Sequence, residues 1–167
     1  MNFKKQIIAG AFSLMAMGAV AEESGIGNDI NTSNIYVGGG LGMNSLSGFD
    51  DAMGFQVFGG YRFDDNLIKV DKVKLAVEAG YMTSGDFDFR FGGSVSADGI
   101  WAATVADYAV NEQVSGLLRL GLDFGDDDGL LMGFGGEYRV DHNIAVRGEY
   151  VIRDNVNSLQ VNIVYGL

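Results

Sequence analysis

The chain of 167 residues contains no cysteine and no proline, and it has a single histidine. The absence of cysteine excludes a disulfide framework and any thiolate metal site. The absence of proline suits a chain made mainly of paired strands, because proline cannot donate to the hydrogen-bond ladder of a sheet. Glycine, by contrast, occurs 26 times, often inside segments that alternate like strands. A water-soluble sheet is weakened by so many glycines, whereas a curved and crowded barrel accepts them.

Basic residues are also scarce, since 11 Lys and Arg stand against 22 Asp and Glu and the formal net charge is -11. This balance disfavours nucleic acid as a partner, because nucleic-acid binding depends on clustered Lys and Arg. An acidic excess is more often a solubilising surface than a binding site.

Long apolar runs are missing after residue 21, which excludes a helical membrane protein. The apolar run Ile7 to Met17 follows Lys4-Lys5 and precedes the small-x-small sequence Ala19-Val20-Ala21. This order is typical of a secretory signal peptide, and its apolar core is too short for a spanning helix. We therefore predict a signal peptide over residues 1–21.

The mature chain is expected to begin at Glu22, and because this residue is not cysteine we do not expect lipid attachment. Residues 22–33 are polar and are predicted to be a short periplasmic lead-in. Eight segments with a period of two follow, and this period predicts strands with one apolar face. The predicted strands are 34–44, 53–64, 73 to at least 83, 99–110, 114–122, 130–140, 144–152 and 156–167.

The last segment alternates up to the terminus, with Leu159, Val161, Ile163, Tyr165 and Leu167 on one face. Short connections alternate with longer acidic ones along the chain, as in outer-membrane barrels. The sequence therefore predicts an all-β fold, an eight-stranded antiparallel up-and-down transmembrane β-barrel over residues 34–167. An even strand count would put both termini in the periplasm. A soluble β-sandwich is the alternative, and it is disfavoured by aromatic residues near strand ends and by paired charges on the polar face.

Three runs resemble the small outer-membrane barrel family typified by OmpA and OmpX: residues 135–150, 36–42 and 58–63. The resemblance covers the mature chain and implies a monomer in the cell outer membrane. Its partners would be outer-membrane lipid, lipopolysaccharide and the outer-membrane insertion machinery. The family usually ends in an aromatic residue as an insertion signal. Here Leu167 stands at that place, and Tyr165 keeps the aromatic character.

Charged residues on the polar strand faces would point into the lumen. An eight-stranded barrel is only wide enough for its side chains to fill, so buried charges there must pair and form hydrogen bonds. We predict an interlocked structural plug, and the alternative is a gated pore for small solutes. The predicted lumen charge network comprises Arg62, Lys74, Glu78, Asp107, Arg119, Glu137, Arg139, Arg147 and Glu149.

No catalytic residue, cofactor or bound metal is predicted. His142 lies in a tight turn with Asp141 and Asn143, whereas a catalytic triad needs a histidine beside a serine in a cleft. The acidic run Asp126 to Gly129 could offer oxygen ligands to calcium or magnesium. It lacks the spacing of an EF-hand, so a solvated Asp-Gly turn is the favoured interpretation.

The third strand pattern continues beyond the length that a membrane requires. Its outward phase runs on to Phe87, Phe89 and Phe91, so residues 73–91 are predicted to form one strand that protrudes from the membrane. The three phenylalanines would form an apolar patch for an extracellular protein partner, and the strand edge could add a partner strand. A flexible loop that folds over the barrel mouth is the alternative. The expected function is structural or adhesive, and the alternative is a narrow channel.

Overall fold

The computed structural model describes residues 32–46, 48–63, 70–88 and 94–167, with only the backbone of Asp88. Residues 33–167 form one compact unit. The predicted signal peptide and most of the predicted lead-in lie outside the described residues. A short 3-10 helix, Thr32–Asn34, precedes the sheet. The strands are β1 Ile35–Leu46, β2 Ala52–Arg62, β3 Val73–Asp88, β4 Ser94–Ala109, β5 Val114–Gly125, β6 Gly129–Arg139, β7 Ile144–Ile152 and β8 Val156–Gly166.

The eight strands form a closed barrel in which every pair is antiparallel and consecutive strands are neighbours. Closure comes from pairing of β1 with β8, which runs from Tyr36 opposite Gly166 to Leu46 opposite Val156. The predicted fold class is therefore confirmed. Among the described residues there is no helix with the length and apolar character that crossing a bilayer requires.

Alternation along the strands places apolar side chains outside and polar side chains inside. Leu118, Leu120 and Leu122 of β5 are exposed, whereas Arg119 between them is buried. The pattern in β4 has the predicted phase, because Ile100 and Tyr108 are exposed and Trp101 is buried. The exposed apolar belt is the surface that a bilayer would cover.

The barrel has two ends with different connections. The terminal end carries the first residue of β1, the last residue of β8 and the short turns at 110–113 and 140–143. Asn111 closes one of these turns by accepting hydrogen bonds from the backbone N–H groups of Gln113 and Val114. The opposite end, here the loop end, carries the connections after β1, β3, β5 and β7.

The hairpin of β3 and β4 is longer than the rest of the wall, with 16 residues in each strand. Its pairing is interrupted by a bulge between Thr83 and Asp86. Gly85 lies at the bulge with a φ of 73°, where a Cβ atom would collide with the carbonyl oxygen of Met53. Only glycine accepts this conformation and this close approach without strain.

The bulge overturns the prediction that the outward phase of β3 continues without a break. An extra residue reverses the side-chain alternation, so Phe87 points into the barrel mouth and is fully buried. Phe87 packs in a cluster with Ala52 and Val156. The centres of the Phe87 and Phe49 rings are 6.4 Å apart, and the two rings are in an edge-to-face arrangement. The proposed exposed patch is therefore wrong for Phe87. Phe89 and Phe91 lie outside the described residues.

Candidate functional site

Five charged side chains meet in the middle of the lumen and form what we call the central charge cluster: Glu78, Arg119, Glu137, Arg147 and Glu149. They come from β3, β5, β6 and β7, and all are buried. Each occupies an inward position of its strand, which is why the sequence alternation brings them together. In this cluster, charges of both signs face one another inside the barrel.

Glu78 is the shared acceptor of the cluster. Arg119 Nη2 donates to Glu78 Oε2 at 2.6 Å, and Arg147 Nη1 donates to Glu78 Oε1 at 2.5 Å. Tyr36 donates its hydroxyl hydrogen to Glu78 Oε1 at 2.6 Å. A carboxylate in a dry interior is tolerated only when its oxygens are paired in this way.

The two arginines link Glu78 to the other two carboxylates. Arg147 donates to Glu137 Oε2 through Nε at 3.0 Å and forms an ion pair with it through Nη2 at 2.9 Å. Arg119 Nη2 also donates to Glu149 Oε1 at 3.1 Å. The five side chains of the cluster are thus connected to one another. Removing any ion pair takes a partner away from a third charged side chain.

Aromatic rings flank the cluster. The guanidinium carbon of Arg119 lies 4.7 Å from the centre of the Trp101 ring and 5.9 Å from that of Phe58. Arg119 Nε and Nη1 have no hydrogen-bond acceptor among the described residues. The faces of the two rings therefore supply the electrostatic partner on that side of the cation.

Glycines on the inner faces of β1 and β2 provide the space for these large groups. A Cβ atom on Gly38 would overlap the Phe58 ring, and one on Gly60 would overlap the Tyr36 ring. The glycine-rich pattern noted in the sequence therefore has a packing reason at these positions, because each ring fills the space over the glycine opposite it on the paired strand.

The remaining predicted network residues lie nearer the terminal end. Arg62 Nη2 is 3.8 Å from Glu137 Oε1 and so lies at the margin of the cluster. Lys74 and Asp107 are opposite each other in the β3–β4 register. Arg139 lies outside the cluster, because it is the last residue of β6, is exposed and donates to the carbonyl oxygen of Glu112 at 3.3 Å. The prediction of an inward network residue is therefore wrong for Arg139, and the five residues of the central charge cluster form the buried part of the predicted network.

A second buried polar group closes the loop end, and sequence reasoning missed it. This loop-end latch is a chain of contacts from Asp123 through Arg153, Ser158 and Asn44 to the carbonyl of Ser84. Arg153 donates to Asp123 Oδ2 at 2.8 Å and to Ser158 Oγ at 3.0 Å. Ser158 then donates to Asn44 Oδ1 at 2.5 Å, and Asn44 Nδ2 donates to the Ser84 carbonyl at 2.9 Å.

The signal for the latch was present in the alternation. Asn44, Asp123 and Ser158 occupy inward positions near the loop ends of β1, β5 and β8. Arg153 follows the last residue of β7, and the sequence pattern placed it in the connection between the seventh and eighth predicted strands. Extending the inward phase by one step beyond Val151 would have placed its side chain in the lumen.

The acidic run after β5 also has a structural role. Asp127 is buried, and its carboxylate accepts hydrogen bonds from the backbone N–H groups of Asn155 and Val156, at 3.0 Å and 2.9 Å. The favoured interpretation of a solvated turn holds for the exposed Asp126 and Asp128 but is wrong for Asp127. Across residues 32–46, 48–63, 70–88 and 94–167, no group of three or more His, Cys, Asp or Glu is placed to hold a metal ion.

His142 lies in the predicted tight turn at the terminal end. Its side chain is 99% exposed, and its Nδ1 is 3.4 Å from Asp141 Oδ1. A solvated histidine of this kind lacks the enclosed surroundings that a catalytic triad requires.

A closed antiparallel barrel with an apolar exterior and a buried ionic interior defines the class of transmembrane β-barrels. The family model described as outer membrane protein beta-barrel domain matches residues 7–165. The chain belongs to this family. No curated protein sequence matches the chain significantly.

Solved structures share the fold at low sequence identity. The outer membrane protein Ail of Yersinia pestis, in a phospholipid bilayer nanodisc, is similar with a TM-score of 0.57 and 13% identity over 80% of this chain and 98% of that one. Neisserial surface protein A is similar with a TM-score of 0.50 and 16% identity over 80% of this chain and 97% of that one. The de novo designed barrel TMB2.3 has a TM-score of 0.58 and 18% identity, over 80% and 94% of the two chains.

Proposed function

We propose that this chain is a non-enzymatic outer-membrane protein that presents its β3–β4 hairpin to an extracellular partner, with both termini in the periplasm. The observation that carries the proposal is the hairpin itself. It continues beyond the barrel wall, where the other strands have ended.

The hairpin has strand edges that the barrel does not pair. The last β2–β3 pair is Phe55 with Thr83, yet β3 remains paired with β4 through Asp88. The last β4–β5 pair is Gly99 with Gly125, whereas β4 begins five residues earlier, at Ser94. Backbone N–H and C=O groups on such an edge are available to an added strand of a partner.

The base of the hairpin is held firmly. Ser84 accepts a hydrogen bond from the backbone of Ala97 at 2.7 Å, and its own carbonyl is the last acceptor of the loop-end latch. Phe87 is packed against Ala52 of the neighbouring β2 and against Val156 of β8. A recognition element that is already ordered loses less conformational entropy on binding.

The interior favours a scaffold over a channel. The central charge cluster and the loop-end latch lie at two levels of the same lumen. Solute passage would require both to separate, and separating buried charges in a low-dielectric interior is costly. A narrow channel is therefore the weaker proposal.

Charge distinguishes this loop end from one suited to a polyanion. Among the side chains that the structure describes, six aspartates are exposed there: Asp50, Asp51, Asp86, Asp126, Asp128 and Asp154. One Ail structure is described as a complex with the heparin analogue sucrose octasulfate. Because like charges repel, we propose that this chain does not share such a ligand and selects a partner with an uncharged or basic surface.

A shortened hairpin tests the proposal. Residues 86–96 are replaced by an Asn-Gly turn, which favours a tight hairpin at the height of the barrel wall. Outer-membrane vesicles that carry this variant should lose adhesion to extracellular-matrix proteins and epithelial cells relative to vesicles with the native chain. Circular dichroism in detergent checks that the barrel is intact.

The matched control is the double variant Asp128→Asn and Asp154→Asn, which changes charge at the same end but leaves the hairpin unaltered. It should retain adhesion to any partner that the hairpin recognises. Native-level adhesion of the shortened but folded variant would refute the interaction role of the hairpin.

A further inference from the structure

A cavity of about 140 Å³ opens at the terminal end of the lumen, below the central charge cluster. Its volume corresponds to about four or five water molecules in the liquid. Buried apolar side chains, including Ala76, Val105 and Val164, form part of its lining. Charged side chains of both signs form much of the rest, so the cavity is a polar pocket of small-molecule size.

Arg62 contributes a guanidinium group to this lining. Its guanidinium carbon lies 4.2 Å from the centre of the Tyr36 ring, which fixes the plane of the group. Among the described residues, the one carboxylate within 4 Å of it is Glu137, at 3.8 Å, which is beyond hydrogen-bond distance. The Arg62 side chain is 34% exposed, so its N–H groups are accessible from the cavity.

Two of the three carboxylates of the lining, Glu137 and Asp141, are engaged elsewhere. Glu137 is held by Arg147 through Nε and Nη2, and Asp141 accepts a hydrogen bond from the backbone of His142 at 2.7 Å. Asp107 lies opposite Lys74 in the strand register. Lys74 and Arg139 also line the cavity and add positive potential near Arg62.

We propose that the terminal-end cavity binds a small oxyanion from solution, a carboxylate or phosphate group held by Arg62, with Lys74 and Arg139 as supporting cations. A planar guanidinium matches the oxygen pairs of both groups and can bind them with two parallel hydrogen bonds. The stacking of Arg62 on Tyr36 orients the guanidinium before the ligand arrives. This site is independent of the hairpin at the opposite end.

The test is a titration of the ¹⁵N-labelled full-length barrel in maltoside micelles, which contain no phosphate. Inorganic phosphate is added at constant ionic strength, and succinate is the probe in a second series. Both probes carry the oxyanion chemistry of the proposal. Amide resonances of Ala145 and Gly166, which line the cavity, should shift along a saturable curve.

Arg62→Gln should weaken the apparent affinity about tenfold, which corresponds to losing a charge-assisted hydrogen bond. The matched control is Lys72→Gln, which removes the same charge at the same end but does not line the cavity. It should change the affinity less than about twofold, as expected for a distant exposed charge. Arg62→Lys keeps the charge but lacks the planar guanidinium group with its paired donors, and it should give an intermediate affinity.

A linear response that never saturates, or an equal affinity in Arg62→Gln and the native chain, would overturn the proposal. A third series in phosphocholine micelles distinguishes the source of the anion. If the micelle alone shifts Ala145 and Gly166 and added phosphate has no further effect, the ligand is a lipid headgroup and the assignment to a solute is wrong.

Discussion

In the central charge cluster, three carboxylates share two arginines in the middle of the lumen, whereas the loop-end latch contains one ion pair, Arg153 with Asp123, continued by hydroxyl and amide groups. Both groups are buried inside the barrel. In the cluster, however, the contacts among its five members are all between full charges, so deleting one member leaves another uncompensated. In the latch, two of the four links are neutral hydrogen bonds, from Ser158 to Asn44 and from Asn44 to the Ser84 carbonyl, and these cost less to lose.

The cluster and the latch connect different sets of strands. The cluster connects β3, β5, β6 and β7 in the body of the barrel. The latch connects β1, β3, β5 and β8 at the end where the hairpin emerges, and Asp127 ties the β7–β8 turn to the same end. The cluster is therefore expected to determine global stability, and the latch to determine the order of the surface loops.

Glu78→Ala should have the largest effect. It removes the acceptor that Arg119, Arg147 and Tyr36 share, so two buried cations lose their main partner. We expect the free energy of unfolding to fall by about 3–5 kcal/mol. Urea unfolding in lipid vesicles measures this value, and the single tryptophan, Trp101 beside Arg119, reports the transition.

The control for that variant is Asp128→Ala, which removes an exposed carboxylate far from the cluster. It should shift the unfolding free energy by less than about 0.5 kcal/mol. If Glu78→Ala were no more damaging than this control, the lumen would be hydrated enough to solvate the arginines.

Gly85→Ala should have the next largest effect, because it combines a left-handed backbone with a collision against the Met53 carbonyl. We expect a loss of about 2 kcal/mol or more. Gly48→Ala is the matched control: Gly48 also has a positive φ, of 91°, but a Cβ there meets nothing within 4 Å. Its cost should be about 1 kcal/mol, from the backbone alone. Equal losses in the two variants would mean that the bulge has room to relax.

Asp127→Ala should have the smallest effect on global stability, about 1–2 kcal/mol. It removes the carboxylate that accepts hydrogen bonds from the backbone N–H groups of Asn155 and Val156, and it breaks no ion pair. Its effect should be local. Hydrogen exchange at the amides of Asn155 and Val156 should accelerate strongly, while exchange in β6 stays close to that of the native chain. Uniformly faster hydrogen exchange throughout the barrel would contradict the separation of the loop end from the cluster.

The strands and the inward charges could be predicted because a period of two fixes which side of the wall a residue faces. β7 has the predicted bounds, and Glu78, Arg119, Arg147 and Glu149 meet as the alternation implied. The orientation of Phe87 could not be predicted, because one bulge at Gly85 reverses the alternation and glycine has many other roles in this chain. The position of the Arg153 side chain depends on the geometry of the turn between β7 and β8. Asp127 sets this geometry by accepting a hydrogen bond from the backbone N–H of Asn155, which lies 28 residues further along the chain.

The most direct test of the account is a double-mutant cycle on Glu78 and Arg147, with Glu78→Gln, Arg147→Met and the combined variant unfolded in urea. The two side chains share an ion pair inside the cluster. The account predicts that the combined variant is more stable than the sum of the single losses implies, with a coupling of about 2 kcal/mol or more. Additive losses would contradict it, since they would show that the charges in the lumen do not depend on one another.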